Sequence, residues 1–398
     1  MTTDRADEPP QERADPERAT FLELFFDLVY VFALLQVGHR LIEDVGSKGH
    51  VLVESGETLL LLLAIWLVWT YSAWATSTFD PRRPVVQAKV VATMFGSLVM
   101  AVAAPKAFDE RAMLFAGAYV ATQLGRPLIL AVGFRNEGKQ RLAVRVLFWF
   151  SITAVPWITG ALLPSGPRAV LWAVAIAIDY TVAPLGWPTP GLGRTGSAEW
   201  TISGDHVGER YRLLFLIALG DLILETGIAF SETVPSAGRS AAFLVSFLTT
   251  VLLWRIYFFR AGELITAAIA ASQYPSRLAR SAAYTHLLIL AGTVATAVGY
   301  RLVIAHPFGP PDPAWIGVIL GGPALFLLGR GGFERAVFGR VSPTRLIGAL
   351  VLAILSPAMI HLPPLMVAVT ASLVLLGVAV TDSARARRRP LVQPSQPR

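Results

Sequence analysis

Two acidic residues, Asp221 and Glu225, stand near the end of the otherwise largely apolar stretch DHVGERYRLLFLIALGDLILE at residues 205–225. Because they are four residues apart, both carboxyl groups project from the same face of an α-helix. A charged residue at the centre of a bilayer costs about 2.5–3.5 kcal/mol. A helix that keeps two acids must therefore offer them a partner, water or a proton. We expect this pair to exchange protons or to coordinate a cation.

A second acidic pair with the same spacing, Glu23 and Asp27, opens the stretch ELFFDLVYVFALLQ at residues 23–36. Glu209 opens the similar stretch ERYRLLFLIALGD in the second half of the chain. We expect Asp27 or Glu209 to make a charge-assisted contact with Arg255. Two other roles stay open, because Glu23 and Glu209 could stabilise helix starts through the helix dipole, and the contact with Arg255 could be purely structural.

A polar track through the membrane is the function that these residues would share. Glu23, Asp27 and His286 would form its inner entrance, and Asp221 would lie near the midplane. Gln36 has roughly the position in the first half that Asp221 has in the second. For His286, a hydrogen bond between two helices is the alternative role.

Four aromatic residues cluster within nine positions of the chain: Trp66, Trp69, Tyr71 and Trp74. Trp and Tyr are enriched where a membrane meets water. We expect this cluster to pack as part of an interfacial aromatic belt.

The composition indicates a membrane protein. Of the 398 residues, 54% are hydrophobic and 15% are charged, whereas soluble domains contain about 25% charged residues. Apolar runs close to the roughly 20 residues that cross a bilayer recur along the chain. We therefore predict an all-α polytopic membrane protein with about twelve transmembrane helices. The predicted spans are 21–41, 57–78, 88–104, 111–133, 143–163, 168–186, 210–230, 240–260, 280–304, 314–330, 344–361 and 363–381.

The Lys and Arg residues predict the orientation of these spans. With the N-terminus in the cytoplasm, the segments on that side contain 26 of the 34 Lys and Arg residues, and those on the other side contain 7. This bias predicts that both termini are cytoplasmic. The run ARARRR at residues 384–389 would hold this topology and attract anionic lipid headgroups. We therefore expect the lipid bilayer, and no nucleic acid, as the partner of the basic residues.

The order of motifs is similar in the two halves of the chain. Gly-Arg closes the fourth and the tenth span, and the fifth and eleventh spans each contain Arg followed by Pro. We predict two parallel six-helix repeats, residues 21–190 and 210–381, related by an axis along the membrane normal. A cytoplasmic linker at 191–209 would join them. Residues 1–20 would form a disordered cytoplasmic tail and residues 382–398 a basic one.

Several classes of chemistry find no support in the sequence. The chain has no cysteine and six histidines, none of them in an HxxxH or HExxH pattern, so we expect neither disulfides nor a metal site. It also lacks a nucleophile constellation and a phosphate-binding glycine loop. We therefore expect no cofactor and no enzymatic activity, and the sequence does not specify an oligomeric state.

Five blocks of the sequence together resemble the bacterial low-temperature-requirement A (LtrA) family. They are ELFFDLVYVFALLQ, WTYSAWATSTFDP at 69–81, HVGERYRLLFLIALGD at 206–221, WRIYF at 254–258 and YTHLLILAGTVATAVG at 284–299. The resemblance implies a multi-pass protein of the bacterial cytoplasmic (inner) membrane that is linked to growth in the cold. It provides no catalytic residue to carry over. Where the family motif typically has Glu, this chain has Asp221, which keeps the carboxylate but shortens its reach by one methylene.

Three functions are compatible with these observations. A secondary transporter or proton/ion pathway would use the intramembrane carboxylates directly, with a small molecule or ion as substrate. A non-catalytic stress or assembly factor would use the buried polar groups only to hold helices together. An intramembrane lipid-modifying enzyme would use the acids and His286 as acid and base, although no catalytic constellation supports this function.

Overall fold

Helices account for nearly all of the described chain. The computed structural model describes residues 19–46, 50–133, 140–195, 204–259, 275–310, 312–339 and 341–388. Within these ranges twelve long helices occur, which confirms the predicted all-α fold. They are α1 (Phe21–Gly46), α2 (Val51–Thr78), α3 (Pro84–Ala103), α4 (Ala112–Gly133), α5 (Gln140–Ala161), α6 (Ser165–Val182), α7 (Gly204–Ser231), α8 (Ala237–Phe258), α9 (Pro275–Ala305), α10 (Pro313–Phe338), α11 (Pro343–Ala358) and α12 (Pro364–Arg388).

Eleven of these described helices are long and apolar enough to cross a membrane. The exception is α6, which has 18 residues and contains Arg168 and Asp179. The chain is therefore a polytopic membrane protein. The predicted tail at residues 1–20 and the middle of the predicted linker at 191–209 lie almost entirely outside the described residues.

Several helices continue past the predicted apolar spans because polar residues at their ends find partners inside the bundle. α1 extends to Gly46, and near its end Arg40 donates from Nη2 to Oε2 of Glu57 on α2 at 2.7 Å. Thr58 of α2 lies 2.5 Å from Oδ2 of Asp44 on α1. Hydropathy alone cannot detect such an end, because it measures only the transfer of each residue into lipid.

Local signals mark both ends of α10. Asp312 accepts a hydrogen bond from the backbone N–H of Ala314 at 2.8 Å, and Pro313 occupies the first helical position. Both features are typical of helix starts. The helix ends at Gly339, whose φ of 66° is a left-handed conformation that glycine adopts without a steric penalty.

Each half of the bundle has the same order of neighbouring helices. In the first half α1 contacts α2 and α3, α3 contacts α4, α4 contacts α5, α5 contacts α6, and α6 returns to α2. In the second half α7 contacts α8 and α9, α9 contacts α10, α10 contacts α11, α11 contacts α12, and α12 returns to α8. The halves meet mainly where α1 touches α7 and α9. α1 and α7 run in the same direction, because Asp27 meets Arg210 near their starts and His39 meets Glu225 near their ends.

The tightest contact between helices joins α9 to α10, and glycines make it possible. A Cβ added to Gly292 would lie 2.5 Å from the backbone nitrogen of Phe326. One added to Gly329 would lie 2.7 Å from the backbone nitrogen of Ile289. Small residues let membrane helices approach closely enough for extensive van der Waals contact.

The aromatic cluster of α2 lies in the core, so the expected interfacial belt is wrong. Trp66 and Trp69 are buried and stack with their ring centroids 5.1 Å apart. The ring of Tyr211 on α7 lies 5.3 Å from that of Trp69, and the ring of Tyr30 on α1 lies 5.9 Å from it. These rings are buried because α1 and α7 cover the face of α2 that carries them.

Candidate functional site

Arg210 of α7 binds both Glu23 and Asp27 at the start of α1. Its Nη1 donates to Oε1 of Glu23 at 2.8 Å, and its Nη2 and Nε donate to the two carboxylate oxygens of Asp27 at 2.5 and 3.2 Å. Nε2 of His206 lies 3.2 Å from Oε2 of Glu23. Trp69 donates to Oδ1 of Asp27 at 2.7 Å. All of these side chains are buried. We call Glu23, Asp27, His206 and Arg210 the Arg210 cluster.

The predicted contact between Asp27 and Arg255 is wrong. Arg255 donates to Oγ of Ser383 at 3.2 Å, whereas Asp27 binds Arg210. The reason is the order of the helices. Arg255 belongs to α8, which lies against α12 at this point, while Arg210 belongs to α7, which lies beside α1.

Glu23 also caps the start of α1, which is the alternative role that the sequence analysis left open for it. Its Oε2 accepts from the backbone N–H of Thr20 at 2.9 Å, and the Thr20 hydroxyl accepts from the N–H of Glu23 at 3.4 Å. This reciprocal pair is a capping box. Glu209 does not begin a helix, since α7 starts at Gly204, and it accepts instead from the N–H of Ala19 at 3.2 Å.

His286 is hydrogen-bonded within the core and makes no described contact with the acids of α1. Its Nε2 lies 2.9 Å from the hydroxyl of Tyr257 on α8, and its Nδ1 lies 2.8 Å from the carbonyl oxygen of Ala282. The ring of Tyr211 stacks on it at 4.3 Å and separates it from Trp69. The alternative role, a hydrogen bond between helices, matches this geometry.

Glu225 belongs to a network near the other ends of α1 and α7. Oε1 of Glu225 lies 2.9 Å from Nε2 of His39, and Nδ1 of His39 lies 3.2 Å from Oε1 of Gln36. Arg301 of α9 donates from Nη1 to Oε2 of Glu225 at 3.3 Å and from Nη2 to Glu232 at 2.9 Å. We call these five residues the Glu225 network. The structure thus brings Gln36 and Glu225 together through His39, which the sequence analysis did not identify.

Asp221 lies one helical turn from Glu225 and borders a small cavity. The cavity has a volume of about 10 Å³ and is lined by Asp221, Glu225, His39 and apolar residues such as Leu34. A space of about 10–15 Å³ is sufficient for one water molecule. No hydrogen bond or ion pair of Asp221 occurs within the described part of the chain. Its carboxyl group is therefore available to water in this cavity.

The Arg210 cluster and the Glu225 network are separated along the interface between α1 and α7. His39 lies twelve positions after Asp27, which corresponds to about 18 Å along a helix axis. Buried side chains such as Tyr30, Leu34 and Leu214 fill this interval. The polar residues therefore form two groups, and their described side chains do not form a continuous track.

The structure contains further buried contacts of charged residues that the sequence analysis missed. Arg345 of α11 pairs with Asp382 of α12, and its Nη2 lies 3.2 Å from Oε1 of Glu334. Asp179 is buried and accepts from the hydroxyl of Tyr119 at 2.8 Å. Hydropathy placed Arg345 at the start of the eleventh predicted span, but it cannot identify the acids on neighbouring helices that this residue contacts. Among the described residues, no three His, Asp or Glu side chains converge as a metal site requires.

Comparison with known proteins identifies the family. The profile of the bacterial low temperature requirement A protein (LtrA) matches residues 18–380, which include both groups of charged residues. An uncharacterised protein of Rhizobium meliloti (strain 1021) is 35% identical over 336 residues, which cover 84% of this chain and 81% of that protein. This chain therefore belongs to the bacterial low temperature requirement A family of membrane proteins.

Proposed function

We propose that the protein is a secondary transporter or a proton/ion pathway of the bacterial cytoplasmic (inner) membrane, in which Glu225 and Asp221 bind the transported proton or cation. The observation that carries the proposal is the position of Glu225. Its carboxylate is only 3% exposed, yet it is shared between His39 and Arg301. Acidic residues at such positions are costly in lipid and typically mark ion or proton routes.

The contacts of the Glu225 network suggest how a proton would reach this carboxylate. Arg301 bridges Glu225 to Glu232, whose side chain is 55% exposed. The His39 side chain is 38% exposed and also contacts Glu225 directly. A proton that binds Glu225 neutralises it and weakens its contacts with His39 and Arg301, while water beside Asp221 offers the next acceptor. The network would thus connect one surface to Glu225, with Asp221 one helical turn away.

The Arg210 cluster would act as the closed gate at the opposite end of the α1–α7 interface. Its charges are buried and hydrogen-bonded, and aromatic rings cover it on the side that faces the Glu225 network. In transporters built from two repeats, alternating access arises when one half rocks against the other around a central site. Separation of Arg210 from Glu23 and Asp27 would open the cytoplasmic side.

Two features support the parallel repeat and the cytoplasmic location of both termini. The order of neighbouring helices is the same in residues 21–190 and 210–381, and α1 and α7 run in the same direction. Two halves of six helices in the same orientation require an axis along the membrane normal. The excess of Lys and Arg predicted for one side orients the bundle, and the basic end of α12 would contact anionic headgroups there.

The test is proton or cation flux in liposomes that contain the purified protein and an internal pH-sensitive dye. Wild-type protein should acidify the interior when the outside is made acidic, and both Asp221→Asn and Glu225→Gln should abolish this flux. Glu110→Gln is the matched control, because Glu110 is an exposed acid outside both groups of charged residues. Equal flux in the wild type and both pathway variants would remove the proposed role of these acids.

A non-catalytic membrane factor is the second candidate, and the Arg210 cluster favours it. In this candidate the paired, buried charges hold α1, α2 and α7 together and have no further role. In that case Glu225→Gln should lower the melting temperature in detergent, and neither the wild type nor the variant should conduct protons. Flux in the wild type would exclude this candidate.

A further inference from the structure

A cavity in the first half of the bundle lies apart from both groups of charged residues described above. It has a volume of about 80 Å³ and lies where α2 and α4 end and α3 and α5 begin. Tyr71, Trp74 and Phe150 form much of its wall. Two cations, Lys89 of α3 and Arg126 of α4, also line it.

Both cations are buried and have no acidic partner within ion-pair distance among the described residues. Lys89 is 1% exposed, and its Nζ makes only long contacts of 3.4 Å with the carbonyl and hydroxyl oxygens of Ser72. Arg126 is 5% exposed and donates from Nη1 to the carbonyl oxygen of Val68 at 3.0 Å. Its buried Nε has no hydrogen-bond partner in the described chain.

Among the other buried cations, Arg40, Arg210 and Arg345 each contact at least one carboxylate, and Arg168 donates to the carbonyl oxygens of Gly160 and Leu163. Lys89 and Arg126 differ from these because they line one cavity together. A charge inside a membrane is stable when it pairs with an opposite charge or borders a polar cavity. Lys89 and Arg126 share a cavity with mostly apolar walls, and the described chain supplies no anion to it. The geometry therefore calls for an anion from outside the protein.

We propose that this cavity binds the acidic headgroup of a membrane lipid or lipid-like acid, with Lys89 and Arg126 as its counter-charges. The cavity is several times larger than the about 10–15 Å³ that one water needs. It is also much smaller than the roughly 300–1,000 Å³ of a pocket that encloses a whole small molecule. A headgroup fits inside it, and the apolar chain of the same molecule stays in the bilayer.

The chemistry of the two cations selects the charge of this headgroup. The guanidinium of Arg126 offers several N–H donors in a plane that suits a phosphate or carboxylate, and the ammonium of Lys89 adds a point charge. A zwitterionic headgroup would place its own positive charge beside those of Lys89 and Arg126, which is unfavourable. A net negative phosphodiester or carboxylate is therefore preferred. This site does not depend on the proposed transport function.

The test measures the melting temperature of purified full-length protein in a neutral detergent while lipid is added. Phosphatidylglycerol, phosphatidylcholine and laurate are the three probes, and they separate an acidic phospholipid, a zwitterionic phospholipid and a free fatty acid. Phosphatidylglycerol or laurate should raise the melting temperature with a saturable dependence on concentration, and phosphatidylcholine should not. Equal stabilisation by phosphatidylglycerol and phosphatidylcholine would overturn the proposal.

Two variants test the location of the site in different ways. Lys89→Met removes one charge at similar length and should weaken acidic-lipid binding about tenfold or more, because a charge-assisted hydrogen bond is lost. Lys106→Met is the matched control, since Lys106 is an exposed lysine in a connection. Ala143→Phe fills the cavity and keeps both cations, so it should also weaken binding. Wild-type affinity in a folded Ala143→Phe protein would refute the site even if Lys89→Met fails to fold.

Discussion

Asp27→Asn should destabilise the protein strongly, although it changes the size of the side chain very little. Asp27 accepts two hydrogen bonds from Arg210 and one from Trp69. An asparagine can still accept from Trp69 through its carbonyl oxygen. Its amide NH₂ would then point at the Nε donor of Arg210, and the negative charge that balances this buried arginine would be lost.

The size of the expected loss in stability follows from the burial of Asp27 and Arg210. Asp27 and Arg210 are almost completely inaccessible to solvent, and removal of one partner from a buried ion pair typically costs about 3–5 kcal/mol. Glu23 remains bound to Arg210, so the lower part of this range is expected. For a unit of roughly 150–250 residues, the size of one six-helix half, each kcal/mol shifts the melting temperature by about 2–4 °C. We expect a decrease of roughly 6–12 °C.

The assay is thermal unfolding in detergent, followed by tryptophan fluorescence, with Glu110→Gln as the matched control. Glu110 is an exposed acid whose Oε1 lies 3.6 Å from Nζ of Lys106, and such surface pairs contribute about 0–1 kcal/mol. The control should therefore change the melting temperature by no more than about 4 °C. A decrease for Asp27→Asn that is no larger than that of the control would refute the role of this pair in joining α1 to α7.

Gly292→Ala should lower the melting temperature because its Cβ would lie 2.5 Å from a backbone nitrogen of α10, whereas Gly317→Ala, with nothing within 4 Å, should leave it unchanged or raise it. Equal effects of the two glycine variants in thermal unfolding would contradict the close approach of α9 and α10. Arg345→Met should cost about 3–5 kcal/mol because it leaves Asp382 buried without its cation. The double variant Arg345→Met/Asp382→Leu should recover most of that loss, and no recovery would show that the two side chains do not act as a pair.

The composition and hydropathy of the chain were sufficient to predict its class and its twelve helices. Transfer of an apolar run into lipid depends on that run alone, so each span can be read from its own residues. The same argument did not give the ends of the helices, including the start of α6 at Ser165. There, residues such as Arg40 and Arg168 are buried in the bundle, and the energy of burial depends on partners that are distant in sequence.

The candidate site was predicted in part. The periodicity of a helix placed Asp221 and Glu225 on one face, and the cost of a buried acid predicted that Asp27 or Glu209 would pair with an arginine. It could not select Arg210 over Arg255, because both residues lie near the same end of the bundle. The side-by-side arrangement of α1 and α7 made that choice.

The order of apolar and polar residues thus specifies which segments enter the membrane and which residues are costly to bury there. Only the tertiary structure decides which charges meet: it assigns Glu225 to His39 and Arg301, and it leaves Lys89 and Arg126 beside one cavity to which the described residues bring no carboxylate. The physical reason is the range of the interactions. Insertion into lipid is a property of single segments, whereas an ion pair between helices requires two atoms that are distant in sequence to lie within a few ångströms of each other.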